Sequence, residues 1–167
     1  MMLRSLVVIL MASSVFGQQR CLRNAWTAVE HRDHQQAIAA SEACIASSGT
    51  IAEADQRRLS ESPVPQVGRI PDQATRNQVL GNWAINDVAA AHWIIATESE
   101  ALYKAGGKLA DLERAKRAYQ DAMRFPHARV LDQQGEDCCF WAPANEAKRR
   151  LEQLPRPVTN SKRRVRE

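Results

Sequence analysis

The sequence predicts an all-α domain, and three observations carry that expectation. Gly and Pro are sparse, seven of each in 167 residues, so few points interrupt a helix. Apolar residues recur three and four apart over most of the chain, the period of a helix with one buried side. The β-branched alternation of a half-buried strand is nearly absent. A chain of this length is expected to form one domain around one sizeable core.

The elements follow in order. Residues 1–17 have the layout of a secretory signal peptide: Arg4 is the positive start, Leu6 to Ala12 is a short apolar run, and Val15 to Gly17 puts small residues before "QQR". That run is too short to cross a bilayer. The expected organisation is a signal peptide at 1–17, a helical domain at 18–154 and a basic disordered tail at 155–167. No integral membrane segment is expected after signal removal, and the mature protein is expected to be secreted or periplasmic.

Residues 20–31 set Leu22, Ala25, Trp26 and Val29 at helical spacing. Residues 34–47 set Ala37, Ile38, Ser41, Cys44 and Ile45 on one face, with Asp33 as the N-cap and Gly49 as the stop. The two helices should form a hairpin. Residues 50–61 start a further helix with Ile51, Ala54 and Leu59 inside, and "SPVPQVGRIPD" (62–72) breaks it into a long loop. Residues 73–105 hold the strongest pattern, with Ile85, Val88, Ala89, His92, Ile95, Ala96, Ser99 and Leu102 in phase and Ala90, Trp93 and Ile94 on a second side. This helix should be central, with Gly81 or Asn82 starting or bending it, and "AGG" (105–107) ends it. Residues 109–124 turn Ala115, Ala118, Tyr119, Ala122 and Met123 inward. A last helix runs from Pro143, in the favoured first turn, to Leu154.

Charge is unevenly distributed. Residues 148–167 hold eight basic and two acidic residues, so the net charge of +4 and the pI near 9.1 belong to the end of the chain. The remainder is mildly acidic. Nucleic-acid binding needs a basic face on the folded body, so no nucleic-acid partner is expected, and the tail reads as a solvated segment.

Two segments look alike. "AWTAVEHRDHQQAIAASEACIASSG" places Ala37, Ser41 and Cys44 before Gly49, and "SEALYKAGGKLADLERAKRAYQDAMRFP" places Ala115, Tyr119 and Ala122 before Pro126. This resembles the tetratricopeptide repeat, whose helix pairs use small residues where helices cross closely and a proline at the repeat end. "GNWAINDVAAAHWI", "HARVLDQQG" and "FWAP" are similar to a group of exported bacterial repeat proteins, some with glucanase-like names. The resemblance implies tetratricopeptide-like antiparallel helical hairpins in an α-α superhelix, and a concave surface for protein or peptide partners.

Residues suited to chemistry are few. There is no His-Glu-x-x-His helix, glycine-rich phosphate loop or nucleophile elbow. His31, Asp33 and His34 fall on a helix turn where polar residues belong, without a third ligand at local spacing, so no metal or cofactor is expected. His127 has no evident partner in the sequence. Trp83, Asn86, Asp87, His92, Trp93 and Glu98 share the central helix, where a polar group between Trp residues suits a ligand groove. The same polar groups equally suit helix–helix hydrogen bonds. No catalytic set emerges. The expected role is an exported scaffold or binding module for a protein or peptide. The alternative is an enzyme or accessory protein acting on or binding extracellular or cell-wall polysaccharide.

The chain has four cysteines, and an exported protein is expected to oxidise them. In the first hairpin the turn centres between Arg32 and Asp33, which brings Cys21 and Cys44 level. Alanines at 25, 28, 37 and 40 let the helices approach closely enough for a bridge. Cys138 and Cys139 then form a vicinal bridge or remain two thiols in the connector before the last helix, which Phe140 and Trp141 should anchor.

Overall fold

The structure is a computed structural model that describes residues 20–70, 72–131 and 139–155. The expected signal peptide, the tail beyond Pro155 and Cys138 lie outside the described residues. Six helices and one small two-stranded sheet make up the described chain, in the order α1 (Arg20–Glu30), α2 (His34–Arg58), α3 (Gln73–Gly81), α4 (Trp83–Gly106), α5 (Leu109–Ala122), β1 (Val130–Leu131), β2 (Phe140–Trp141) and α6 (Pro143–Gln153). The all-α expectation holds.

The turn between α1 and α2 is set by two residues. Arg32 adopts a left-handed backbone at φ 58°, which reverses the chain. Asp33 then caps α2 by accepting from the Gln36 amide at 3.1 Å, satisfying one of the unpaired amides of the first turn.

α2 corrects the sequence reading. It continues through Gly49 to Arg58 as one helix of 25 residues. A helical glycine costs about 1 kcal/mol relative to alanine. Here that cost is outweighed by packing, because the buried positions Ala37, Ser41, Cys44, Ser48 and Ala52 form one unbroken stripe. Stopping at Gly49 would expose Ala52 and withdraw Leu59 from the core.

The long predicted helix over 73–105 is two helices. Asp72 caps α3 through the Ala74 and Thr75 amides, and Asn82 interrupts it at ψ 38°. Asn86 spans the break, its side-chain amide donating to the Val79 carbonyl at 2.9 Å. α4 then runs to Gly107, whose left-handed φ of 67° and amide bond to the Tyr103 carbonyl close it, as glycine at this position allows.

Fourteen of the 24 residues of α4 are buried, which makes it the axis of the molecule. α1, α2, α3, α5, α6 and β1 all pack on it. α1 and α2 cover it with Leu22, Ala25, Ala28, Ala37 and Cys44 against Ala90, Ala91 and Ile94. α5 and α6 cover another side with Leu112, Ala115, Tyr119, Ala122 and Ala147 against Ile95 and Ala96. A third cluster joins Ala52, Leu59 and Phe125 to Ile85, Val88 and Ala89.

The short sheet was not expected. Val130 pairs with Trp141 and Leu131 with Phe140 in antiparallel register. Gly68 and Phe140 exchange both backbone hydrogen bonds, at 2.8 and 3.0 Å, so the proline-rich loop is pinned to this connector. Phe140 is buried against Ile70 and Val79.

Candidate functional site

Because α4 is covered nearly all round, its polar residues point to different neighbours. The six residues singled out on it do not meet in one groove. Trp83 packs against the cluster that contains Ala52, Leu59 and Phe125. Asn86 is a structural link, since it also accepts from the Arg129 amide at 2.8 Å. Glu98 and His34 of α2 share a hydrogen bond of 2.5 Å. Trp93 lies between Trp26 and Trp141, with ring centroids 6.3 and 5.1 Å away, so three tryptophans join α1, α4 and β2.

Asp87 faces the disulfide. The Cys21–Cys44 bridge expected from the hairpin is present, with the two Cα atoms 5.0 Å apart. Cys139 is also disulfide-bonded. Asp87 Oδ2 lies 3.5 Å from Cys21 Sγ, and Oδ2 and the two sulfurs fall within 4.8 Å of one another. A bridged sulfur carries no proton, so in this contact the carboxyl O–H is the donor. Burial alone pushes the Asp87 carboxyl up to about 7, since taking a carboxylate out of water disfavours its charge. A bridged cysteine pair offers no thiolate to a metal.

His92 opens onto a cleft. α2 and α5 both pack on α4 and leave beside it a space of about 300 Å³ with Ile45, His92 and Ile95 against it. Glu42 of α2 and Arg114, Arg117 and Asp121 of α5 form the rim. The His92 ring stacks on Phe125 at 6.2 Å and 18°. Burial holds its pKa below the usual histidine value, against the opposing pull of Asp121, so the ring is neutral. Among the described residues, no hydrogen bond satisfies its ring nitrogens and no ion pair engages Arg114 or Arg117.

Three polar features had little or no signal in the sequence. Glu100 accepts from Tyr119 Oη at 2.7 Å and from Lys104 Nζ at 2.6 Å. His127 is buried, with Nε2 3.0 Å from the Ser62 carbonyl and Nδ1 2.8 Å from Gln56 Nε2. Arg129 is 3% exposed and donates to the carbonyls of Pro65, Gln66, Pro126 and Ala128, a clasp on the proline-rich loop without periodicity to betray it. The cleft rim had a weak signal: Arg114 and Arg117 each adjoin an inward alanine of α5.

Comparison with protein families, with curated proteins and with solved structures finds no match to this chain.

Proposed function

We propose that this chain is an exported helical binding module whose working surface is the cleft of α2, α4 and α5. Its partner is a peptide or protein segment that inserts an apolar side chain beside an acidic group. The observation that carries this reading is the cleft itself, with a neutral His92 whose ring nitrogens lack a partner among the described residues. Apolar contact comes from Ile45 and Ile95, and the guanidinium groups of Arg114 and Arg117 favour a carboxylate as a planar, bidentate acceptor.

The resemblance to tetratricopeptide repeats supports the same assignment. Two helix pairs, α1 with α2 and α4 with α5, pack through alanines, as the helix pairs of such modules do when they build concave surfaces. The helices α2 and α4, at 25 and 24 residues, extend well beyond what half of a 34-residue repeat holds. The disulfide supports an oxidising compartment, and no helix among the described residues is long and apolar enough to cross a membrane. Polysaccharide binding has no comparable support, because Trp83, Asp87 and Glu98 face three different neighbours.

Peptide display against the immobilised protein tests the assignment. Enriched peptides should carry an acidic residue next to an apolar one. Arg117→Glu, an exposed change on α5, should weaken them by about fivefold or more, the scale of a moderate interface contact. Failure to enrich any peptide, or binding indifferent to both Arg117→Glu and His92→Ala, overturns the assignment.

A further inference from the structure

The Asp87 carboxyl is buried against a disulfide, and its position raises the question of what a neutral acid does there. Cys44 is 1% exposed while Cys21 is partly exposed. An incoming thiolate therefore meets Cys21, and Cys44 is the sulfur that must leave. Asp87 touches Cys21 Sγ at 3.5 Å and its carboxyl stands within 4.8 Å of Cys44 Sγ, close enough to reach that sulfur as the bond opens. Among the described residues no second charge shifts it, and burial alone acts on the carboxyl. The apolar cluster that holds the bridge includes Leu22 and Ala25 of α1, Cys44 of α2 and, against it, Val130 of β1. The guanidinium of Arg129, which precedes β1, is taken up by four carbonyls.

We propose that the Cys21–Cys44 bridge is a thiol–disulfide exchange centre for a dithiol, with Cys21 as the attacked sulfur, Cys44 as the leaving sulfur and Asp87 as the acid that protonates it. One thiolate of the dithiol attacks Cys21 Sγ and forms a mixed disulfide, and the Cys21–Cys44 bond breaks. Cys44 departs with the electron pair and takes the proton of Asp87, leaving a thiol and a carboxylate. The second thiolate of the dithiol then attacks its own sulfur in the mixed disulfide. This closes the oxidised dithiol and releases Cys21 as a thiolate that draws a proton from water. Two electrons pass from the dithiol to the bridge. In the reverse direction the Asp87 carboxylate receives the Cys44 proton.

The geometry suits this step for three physical reasons. A buried thiolate is costly, so expelling Cys44 without a proton donor raises the barrier. A donor is most effective when its pKa lies near the working pH, and burial has moved the Asp87 carboxyl to about 7. Leu22, Ala25, Ala28 and Ala37 also pack in the cluster that joins α1 to α2 and α4, contacts that breaking the sulfur–sulfur bond does not itself remove. This centre is separate from the cleft beside His92, and the two assignments stand or fall separately.

The test measures reduction of the native protein by dithiothreitol, read by alkylation and mass spectrometry of Cys21 and Cys44. The rate is divided by the thiolate fraction of the reductant, which removes the reagent's own pH dependence. For the wild type this normalised rate should fall about tenfold between about pH 6 and about pH 8, following loss of the Asp87 proton. Asp87→Asn should flatten the profile and slow reduction roughly tenfold at the lower pH. A flat wild-type profile overturns the proposal even if the variant fails to fold. So does a variant that keeps the wild-type profile, or a bridge that stays closed until the protein is unfolded.

Discussion

Asp87 and Glu100 are carboxylic acids at opposite ends of the same helix, and each is 7% exposed. Burial pushes both upward, yet the two carboxyls end on opposite sides of their usual values. For Glu100, burial is more than offset by hydrogen bonds from Lys104 and Tyr119 and by the charges of Lys104 and Arg150, so its carboxyl lies below its usual value. For Asp87, burial acts alone, and the carboxyl rises to about 7. Donors, rather than depth, decide whether a buried acid is charged. The end of α4 near α5 and α6 is therefore an ionic joint, and the end near α1 and the disulfide holds a proton.

The largest expected effect breaks this contrast at Asp87. Its carboxyl titrates at about 7 in the fold, well above the 3.8 of an exposed aspartate, so between about pH 4 and 7 the folded chain keeps a proton that the unfolded chain has lost. Stability then falls as pH rises through that window. The ceiling on the loss is about 4 kcal/mol, at roughly 1.4 kcal/mol per unit. Asp87→Asn removes the titration, so it should be close to neutral below about pH 4 and stabilise by up to that amount at about pH 8. Denaturant unfolding at the two pH values checks it. Equal effects at both would show that Asp87 is not buried as a neutral acid.

The second effect removes the ionic joint. Glu100→Ala leaves the hydroxyl of Tyr119, a residue with no exposed surface, without its acceptor, which costs about 1–3 kcal/mol for a buried polar group. Lys104 contributes little to this figure, because its side chain is 66% exposed and solvent screens such pairs. The expected loss is about 3 kcal/mol once lost packing is added, seen as a lower unfolding midpoint at neutral pH. A loss of only a few tenths would mean that Tyr119 finds another acceptor.

Neither partner set could be read from the residues around Asp87 and Glu100. Where a helix has one buried side, periodicity tells which residues face the core. That is why α5 was legible at Ala115, Ala118, Tyr119 and Ala122, although Met123, expected inside, is exposed and the buried Leu112 was missed; the Asp33 cap, the Gly107 stop and the Pro143 start were legible too. The Cys21–Cys44 pair was legible too, because a tight turn fixes which residues stand level. α4 lacks that asymmetry: buried positions occur on every side, so the pattern places it at the centre without saying which neighbour each side chain meets. Asp87 against the bridge and Glu98 against His34 thus depend on how α1 and α2 settle. The continuation past Gly49 was hidden for a related reason, since the gain comes from α4 rather than from α2 itself. The cleft beside His92 is a gap between elements distant in sequence, and such a gap leaves no local pattern.

The finest distinction is made at Tyr119, because Tyr119→Phe withdraws one donor from Glu100 and leaves the carboxyl in place. Lys104 still reaches Oε1 at 2.6 Å and Arg150 stands 4.0 Å from it, so Glu100 should stay charged at neutral pH. The cost should be about 1–1.5 kcal/mol, the usual net value of one hydrogen bond. The direction with pH is the sharper readout. A carboxyl held below its usual value contributes stability that is present above its unfolded pKa and is lost as pH falls through its folded pKa. With one donor gone, the folded-state pKa of Glu100 rises toward the unfolded value, so its titration should move to higher pH in the variant. Carbon-detected nuclear magnetic resonance of the Glu100 carboxyl follows that movement directly. Simple loss of packing would lower stability without moving the titration, and Asp87, at the far end of α4, should titrate near 7 in both proteins.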